Sequence, residues 1–305
     1  MSGGKNKAFM ENPIDFMKKY AVCPADDIGM YIGDKAVSMN TSGTTGTDYV
    51  YSTIDPNKSV AWLNFSKKPR GSGVNMAFIP KAEGVIAVDG TYAAQPGKVK
   101  SYFLPWTAGG GIIKVSIPQK GTVPAAQDAD YFFTATITGC SVFIKGTQQA
   151  PEVYHAGGDT KQSDPLQAAL FWRNLMATYS GGAVVKEVDK TEYISDPTSR
   201  KKGTNTPNSE TFEDWLKDKK PADLDIQMVF PWGCVMGLRD ATGAWKFYLQ
   251  ENATILFTKW KKKSVFSTQK VQSSMSGAAR PMIFREIFPN GGMHHVFVPQ
   301  LPRKL

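Results

Sequence analysis

Residues 131–157 read YFFTATITGCSVFIKGTQQAPEVYHAG, and their pattern indicates how this part of the chain folds. Aromatic and β-branched residues, which favour strands, fill Tyr131–Thr138, Ser141–Lys145 and Glu152–His155. Between the last two runs, Gly146–Pro151 carries the glycine and proline that are typical of a turn. The pattern therefore predicts one strand followed by a β-hairpin.

The same pattern recurs on both sides of this stretch. Short apolar runs alternate with turns that contain glycine, proline or asparagine. They predict strands at Tyr49–Ile54, Val60–Phe65, Val74–Ile79, Val85–Val88, Gly111–Ile117, Ile226–Pro231, Trp245–Gln250, Ala253–Trp260, Met282–Phe288 and His295–Pro299. Asp240–Gly243 lies between two of these strands and is typical of a hairpin turn, with Gly243 supplying a positive φ.

Helices are few in this pattern. Short helices are predicted over Pro13–Tyr20 and from Ser209 onward. A longer helix is predicted over Leu166–Tyr179, because Ser163-Asp164-Pro165 supplies a capping side chain followed by a proline at the first helical position. These elements predict an α+β fold, with a predominantly antiparallel β-sandwich core flanked by a few helices.

The chain length allows one large domain or two small ones. We find no internal repeat and no low-complexity linker that would divide the chain. We therefore expect residues 1–305 to form a single catalytic domain, with an N-terminal helical arm over residues 1–25 and a polar surface loop over residues 189–208.

Scarce residue types narrow the chemistry that is open to the chain. The candidate sulfur and imidazole groups are Cys23, Cys140, Cys234, His155, His294 and His295. Their number and spacing argue against a disulfide framework and against a zinc site with a CxxC hook. Two cysteines, Cys23 and Cys234, have no histidine nearby and are expected to be structural. The two adjacent histidines alternate across a predicted strand, so only one of them can face a given site.

The charge balance is basic, with 36 Lys+Arg against 27 Asp+Glu and a net charge of +9. A positive net charge favours binding to an acidic protein, an acidic membrane surface or a nucleic acid. Its clusters are short and lack a nucleic-acid recognition signature, so we interpret them as a solvated surface with no specific nucleic-acid partner. No apolar run approaches roughly 20 residues and no signal-peptide core is present, which predicts a protein made in a reducing cytosol without a transmembrane segment.

Alternation within the first predicted strand separates two kinds of side chain. Phe133, Ala135 and Ile137 share one face, and Thr134, Thr136 and Thr138 share the other. The first face suits an apolar core, and the threonine face suits either a polar pocket wall or an exposed sheet surface.

Cys140 and His155 are the Cys–His pair that lies close in sequence. A hairpin centred between Thr147 and Gln148 places them directly opposite each other, and such residues have Cβ atoms about 4.5–5.5 Å apart on one face. A nearby imidazolium lowers the pKa of a thiol and protonates the leaving group, and strand-end N–H groups can hold an oxyanion. A register shift of one residue would instead put the pair on opposite faces. Alternatively, the cysteine packs as a small apolar residue and the histidine serves a backbone carbonyl.

Thr-Ile-Thr-Gly-Cys140, followed after 15 residues by Val-Tyr-His155, resembles the catalytic core of the cytotoxic necrotizing factor and dermonecrotic toxin family. It also resembles the related Burkholderia lethal factor and chemotaxis deamidase group. The match covers about 25 residues, with Ile137-Thr138 where the family has Leu-Ser. The resemblance implies a β-sandwich core, Cys140 as the nucleophile, His155 as its acid/base partner, and Thr134 as the residue that orients the histidine.

The resemblance further implies a toxin- or effector-like glutamine deamidase that acts on a host protein, with a small GTPase or a translation factor among the targets. No metal or organic cofactor is implied. A transglutaminase or a cysteine peptidase would use the same dyad, and a basic module that binds nucleic acid or membrane is the non-enzymatic alternative. We expect the protein to be cytoplasmic in the producing cell, secreted without a cleavable signal and active in the cytosol of a target cell. The oligomeric state stays open.

Overall fold

The computed structural model describes residues 3–26, 28, 37–40, 48–54, 59–67, 84–106, 111–157, 170–174, 176, 186–188, 224–262, 265, 270–272 and 276–290. Within these ranges the chain is mostly β, with few helices. Helix α1 covers Gly3–Glu11 and helix α2 covers Pro13–Lys19. A 3₁₀ turn covers Ala125–Gln127, and residues 170–174 and 176 are also helical.

Helix α2 shows how local sequence sets an element. The side chain of Asn12 caps its first turn by accepting a hydrogen bond from the Asp15 N–H at 3.2 Å. Pro13 occupies the first turn, and Lys18 and Lys19 lie at the negative end of the helix dipole. The helix predicted over Pro13–Tyr20 is confirmed, and α1 precedes it within residues 1–25, the range predicted as a helical arm.

Fifteen strands make up most of the described chain. They are β1 (Ala21–Pro24), β2 (Val37–Asn40), β3 (Asp48–Thr53), β4 (Val60–Ser66), β5 (Val85–Thr91), β6 (Val99–Leu104), β7 (Gly111–Ser116), β8 (Tyr131–Thr134), β9 (Ser141–Gly146), β10 (Pro151–Gly157), β11 (Lys186–Val188), β12 (Leu224–Arg239), β13 (Trp245–Lys262), β14 (Lys270–Gln272) and β15 (Ser276–Phe288).

The strands form two sheets. The larger has nine strands in the order β1-β5-β4-β6-β8-β12-β13-β14, with β15 also paired to β13. The smaller has six strands in the order β11-β9-β10-β7-β3-β2. Most neighbours run antiparallel, as predicted, but the pairs β1–β5, β6–β8 and β3–β7 are parallel. Both sheets are therefore mixed.

The nine-stranded sheet curls until its two ends approach each other. The N–H of Val22 in β1 donates to Oε1 of Gln250 in β13 at 3.0 Å. A Cβ on Gly84, just before β5, would lie 2.5 Å from the Ala279 carbonyl oxygen in β15. The large sheet is nearly closed into a barrel, so the predicted sandwich is corrected to a curled sheet with a second sheet beside it.

Apolar side chains pack inside the curled sheet, between the two sheets and on the outer face of the small sheet. Inside the curled sheet, Phe9 and Phe16 from the two helices pack on Phe65 of β4, with ring centroids 4.5 Å and 5.5 Å away. A second core lies between the sheets and contains side chains of both. Trp172, from the helical residues 170–174, packs on the other face of the small sheet, against Phe143 of β9. The part of the helix predicted over Leu166–Tyr179 that the structure describes is helical.

The chain crosses from the large sheet to the small one between β8 and β9. The strand predicted over Tyr131–Thr138 ends at Thr134, because its partner β6 ends at Leu104. After the crossing begins, Ile137 makes an isolated bridge to Gly233 and packs between the sheets, whereas Phe133 and Ala135 lie inside the curled sheet. Cys140 is the last residue of this crossing.

A buried ion-pair cluster anchors the β12–β13 hairpin. The side chain of Arg239, only 1% exposed, pairs with Asp128 and Asp130 and lies 5.4 Å from the Trp245 ring centroid. Although burial raises the pKa of Asp128, hydrogen bonding and charge from Arg239 hold it below its ordinary value. The predicted hairpin turn follows directly, with Gly243 at φ +88°.

Several predictions fall outside the described residues. They are the strands at Val74–Ile79 and His295–Pro299, the helix from Ser209, and the polar loop over residues 189–208. Across the residues that are described, no helix has both the length and the apolar character needed to cross a membrane.

Candidate active site

The hairpin of β9 and β10 is centred one residue later than predicted. Gly146 pairs with Pro151, so the loop contains four residues and its centre lies between Gln148 and Gln149. Gly146 adopts φ +89°, and the Ala150 N–H donates to the Thr147 hydroxyl oxygen at 3.2 Å. Moving the centre by one residue shifts the strand register by two positions.

This shift changes the partner of His155. The residue opposite His155 is Val142, so the prediction that Cys140 lies directly opposite is wrong. A shift of two residues nevertheless keeps every side chain on its face, because side chains alternate with a period of two. Cys140 precedes β9, and its Sγ lies 2.8 Å from where a Cβ of Gly157 would stand. The thiol and the imidazole are therefore diagonal neighbours on the face that Gly157 shares with His155, two residues earlier in β10. Diagonal neighbours are about 7–8 Å apart at Cα, within reach of a ring.

The imidazole of His155 is hydrogen-bonded to a main-chain carbonyl at the end of a strand of the large sheet. Its Nδ1 lies 3.1 Å from the carbonyl oxygen of Pro105, which follows β6, and the side chain is 1% exposed. Burial lowers the pKa of His155 from 6.5 to about 4, although the Pro105 carbonyl opposes this by favouring the protonated ring. The ring is therefore neutral at physiological pH.

The tautomer of His155 follows from this contact. A carbonyl oxygen only accepts, so Nδ1 carries the proton and Nε2 presents a lone pair. Within the described chain Nε2 is buried and has no hydrogen-bond partner, so it makes no hydrogen bond with the Cys140 thiol. Catalytic hydrogen bonds are often made only once substrate binds. His155 is thus neutral, with a lone pair on Nε2 that can accept a proton.

The thiol of Cys140 lies against a glycine and a tryptophan. A Cβ built on Gly157, the residue that extends the register opposite Cys140, would stand 2.8 Å from Sγ and 2.4 Å from Nε1 of Trp106. Both atoms thus converge on the space that the missing side chain leaves. Cys140 is 8% exposed and belongs to the core between the sheets, together with Ile137 and Val142.

Threonine side chains on the predicted polar face make hydrogen bonds to main-chain groups. The Thr134 hydroxyl accepts a hydrogen bond from the Val235 N–H at 3.0 Å, and the Thr136 hydroxyl donates to the Pro24 carbonyl at 2.6 Å. Both side chains are buried, so this face is not an exposed sheet surface. Among the described hydrogen bonds, Pro105 rather than Thr134 holds His155.

The other two cysteines have environments that suppress reactivity. All three cysteines are thiols. Burial raises the pKa of the Cys23 thiol to about 12 and also raises the pKa of the Cys234 thiol. Both lie at the junction of β1 and β12, where the Cys234 thiol is 3.6 Å from the Val22 carbonyl. They carry the structural character that their sequence context predicted, whereas His294 and His295 lie outside the described residues.

Three site residues were not predicted: Pro105, Trp106 and Gly157. The first two follow β6, a strand that was also missed, and they meet His155 and Cys140 only because the two sheets face each other. The proline that ends a strand and the Gly157-Gly158 pair after His155 are visible in sequence. No local pattern, however, links the two segments.

Comparisons with known proteins give little beyond this geometry. No protein-family model and no curated protein matches the chain. A weak structural neighbour is the C-terminal domain of CNFy from Yersinia pseudotuberculosis, which is 11% identical in sequence. The match covers 91% of this chain and 98% of that domain at a TM-score of 0.31. A TM-score this low carries no argument about fold or function, so the chemistry of the site is judged from its own residues.

Proposed function

We propose that this protein is a cysteine-dependent acyl-transfer enzyme that deamidates a glutamine side chain of a protein substrate. One observation carries the proposal: a buried, neutral His155, whose Nε2 has no partner among the described residues, shares a sheet face with the neighbouring Cys140. This is the combination of base and nucleophile that thioester chemistry needs. The choice of glutamine is supported by the resemblance of residues 134–155 to the cytotoxic necrotizing factor family.

The first half-reaction forms a thioester. His155 Nε2 takes the proton of Cys140 as Sγ attacks the carboxamide carbon, and the carbonyl electron pair moves onto oxygen. The tetrahedral intermediate then collapses, the C–N bond breaks, and the imidazolium gives its proton to the departing nitrogen. Ammonia leaves, and the substrate remains bound to sulfur through a C–S bond.

Water completes the cycle. His155 removes a proton from water, whose oxygen attacks the thioester carbon. The C–S bond breaks, the proton returns to sulfur, and the product is glutamate. Glutamine and water are consumed, and glutamate and ammonia are formed, with no redox change.

The burial of His155 affects its roles as base and as acid differently. A buried imidazolium is disfavoured, so the resting imidazole is neutral and can accept a proton, as a weaker base than an exposed histidine. The same environment makes the imidazolium that forms during attack a strong acid, which readily protonates the leaving nitrogen.

Further parts of the proposal rest on the resemblance alone. In it, Thr134 helps to position the histidine, and the substrate is a protein in the cytosol of a target cell, reached by secretion without a cleavable signal. Transamidation and peptide-bond cleavage use the same nucleophile and therefore remain outcomes of the test.

Quantitative mass spectrometry of a host-cell lysate tests the proposal. The lysate is treated with wild type, with Cys140→Ala, or with Cys23→Ala as a matched control that removes a cysteine expected to be inert. Conversion of a specific glutamine to glutamate by wild type and by Cys23→Ala, but not by Cys140→Ala, is the expected result. Amine adducts would indicate transglutamination, new termini would indicate a peptidase, and an unchanged proteome would contradict enzymatic function.

A further inference from the structure

Trp106 has a buried donor without an acceptor in the part of the chain that the structure describes. Its main-chain N–H donates to the Asp26 carbonyl oxygen at 3.0 Å, which fixes the backbone at the end of β6. Its indole Nε1 is sealed from solvent and has no hydrogen-bond partner among the described residues. An unsatisfied buried donor costs about 1–3 kcal/mol, and native proteins keep few of them. An indole N–H can only donate, so a partner for it must be an acceptor.

The position of this donor indicates which acceptor it serves. Nε1 of Trp106 and Sγ of Cys140 lie 2.4 Å and 2.8 Å from the point where a Cβ of Gly157 would be. The donor and the nucleophile therefore converge on one small space. When sulfur bonds to a carbonyl carbon, the carbonyl oxygen is only two bonds from that sulfur and enters the same neighbourhood.

We infer that the indole N–H of Trp106 stabilises the oxyanion that forms when Cys140 attacks an acyl substrate. The inference rests on the proposed function and deepens it by naming the donor at the site. In the tetrahedral intermediate the donor gains a negatively charged acceptor, which it lacks in the resting protein. Interactions made only in the transition state are the ones that accelerate the reaction.

Pro105 and Trp106 then act as one unit. The carbonyl of the first fixes the tautomer of His155, and the indole of the second faces the sulfur. The end of β6 thus supplies the large sheet's part of the site, while the crossing segment and β10 supply Cys140 and His155. Gly157 is required because any side chain there would occupy the shared space.

The test separates acyl transfer from simple thiol reactivity. p-Nitrophenyl acetate acylates a nucleophile through a tetrahedral oxyanion, whereas iodoacetamide alkylates sulfur without forming one. Trp106→Phe is expected to lower the rate of Cys140-dependent acylation by about 10- to 100-fold, because a lost oxyanion donor has an effect of this order or larger. The alkylation rate of Cys140 is expected to stay within about twofold. Trp260→Phe, which removes a 40% exposed tryptophan, is the matched control and changes neither rate.

A spectroscopic readout tests the same contact directly. The Cys140 thiol adds to the carbonyl group of acetaldehyde, so that a C–S bond forms and the thiol proton moves to the oxygen. The resulting hydroxyl oxygen occupies the position of the oxyanion. The ¹H–¹⁵N resonance of the Trp106 indole is identified by its absence from the spectrum of Trp106→Phe. When acetaldehyde is added, this resonance is expected to move downfield in wild type and to stay unchanged in Cys140→Ala.

The outcomes keep this inference distinct from the proposed function. An adduct that forms without moving the indole resonance, or acylation that is as fast in Trp106→Phe as in wild type, overturns the role of Trp106 and leaves the dyad standing. Wild type that acylates no faster than Cys140→Ala overturns the proposed function, and the inference falls with it.

Discussion

Replacing His155 with asparagine should remove a specific acid sensitivity of the fold. The imidazole is buried with its Nδ1 proton on the Pro105 carbonyl, and burial holds its pKa at about 4. Asparagine offers an N–H donor near the position of Nδ1 and does not titrate. The substitution therefore retains the anchoring hydrogen bond and removes the titrating group.

The size of the effect follows from proton linkage. In the unfolded chain a histidine binds a proton below about pH 6.5, whereas folded His155 resists protonation until about pH 4. Between these values the unfolded state binds more protons, so the free energy of unfolding falls as the pH falls. At about 1.4 kcal/mol per pH unit, the interval corresponds to about 3 kcal/mol. The part of the free energy of unfolding that depends on neutral His155 is complete above the pKa of histidine in the unfolded chain. It is lost progressively as the pH falls to about 4.

Urea denaturation followed by tryptophan fluorescence measures this loss. The stability advantage of wild type over His155→Asn is expected to shrink by about 3 kcal/mol between pH 7 and pH 4. Parallel pH profiles for the two proteins would refute the assignment of a buried neutral histidine. If the variant does not fold, an NMR titration of wild type decides the same point, because His155 should stay neutral at pH 5.5 as the Nδ1–H tautomer.

Three other substitutions test contacts around the site and the fold, each by urea denaturation. Gly157→Ala should destabilise the protein by about 1–3 kcal/mol, because the added methyl meets the indole nitrogen and the thiol; Gly4→Ala, with nothing within 4 Å of the added methyl, should be neutral or slightly stabilising. Arg239→Met should cost about 3–5 kcal/mol, since it leaves a partly buried carboxylate without its cation; Lys120→Met removes a 44% exposed lysine near the same cluster and should cost less than about 1 kcal/mol. Thr134→Val should cost about 1–3 kcal/mol by leaving a buried N–H unsatisfied, and Thr134→Ser should recover most of that loss. Equal effects within any of these pairs would contradict the corresponding contact.

Local patterns predicted where most strands lie, because period-two alternation and turn residues act over a few positions. They did not predict how the strands join. The pattern divided β13 into two strands around Glu251 and Asn252, whereas the structure has one strand there. Its pairing with β15 shifts register between these two residues. A bulge of this kind interrupts the alternation without ending the strand.

The closure of the large sheet depends on contacts that no short segment encodes. β1 meets β13 through Val22 and Gln250, which are far apart in the chain. The parallel pairing of β6 with β8 is also non-local. The expected sandwich was therefore correct about two facing sheets but missed the curl of the larger one.

The sequence predicted Cys140 and His155 but not the site residues that the large sheet supplies. The hairpin brings Cys140 and His155 to one face, because the register differs from the predicted one by an even number of residues. The turn contains no Asn-Gly or Asp-Gly pair to fix its length, so a shift of two residues was not visible. Pro105 and Trp106 come from the other sheet, which explains why sequence spacing did not find them.

Site-resolved alkylation of the three cysteines tests whether His155 activates the Cys140 thiol. Native protein is treated with limiting iodoacetamide, and the labelling rate of each cysteine is read by peptide mass spectrometry in wild type and in His155→Asn. Cys140 is predicted to react at least about 10-fold faster than Cys23 and Cys234 in wild type, because the adjacent imidazole accepts its proton. In His155→Asn that advantage should disappear. Equal rates in wild type, or a fast Cys140 that is unaffected by loss of the imidazole, would contradict the Cys140–His155 dyad.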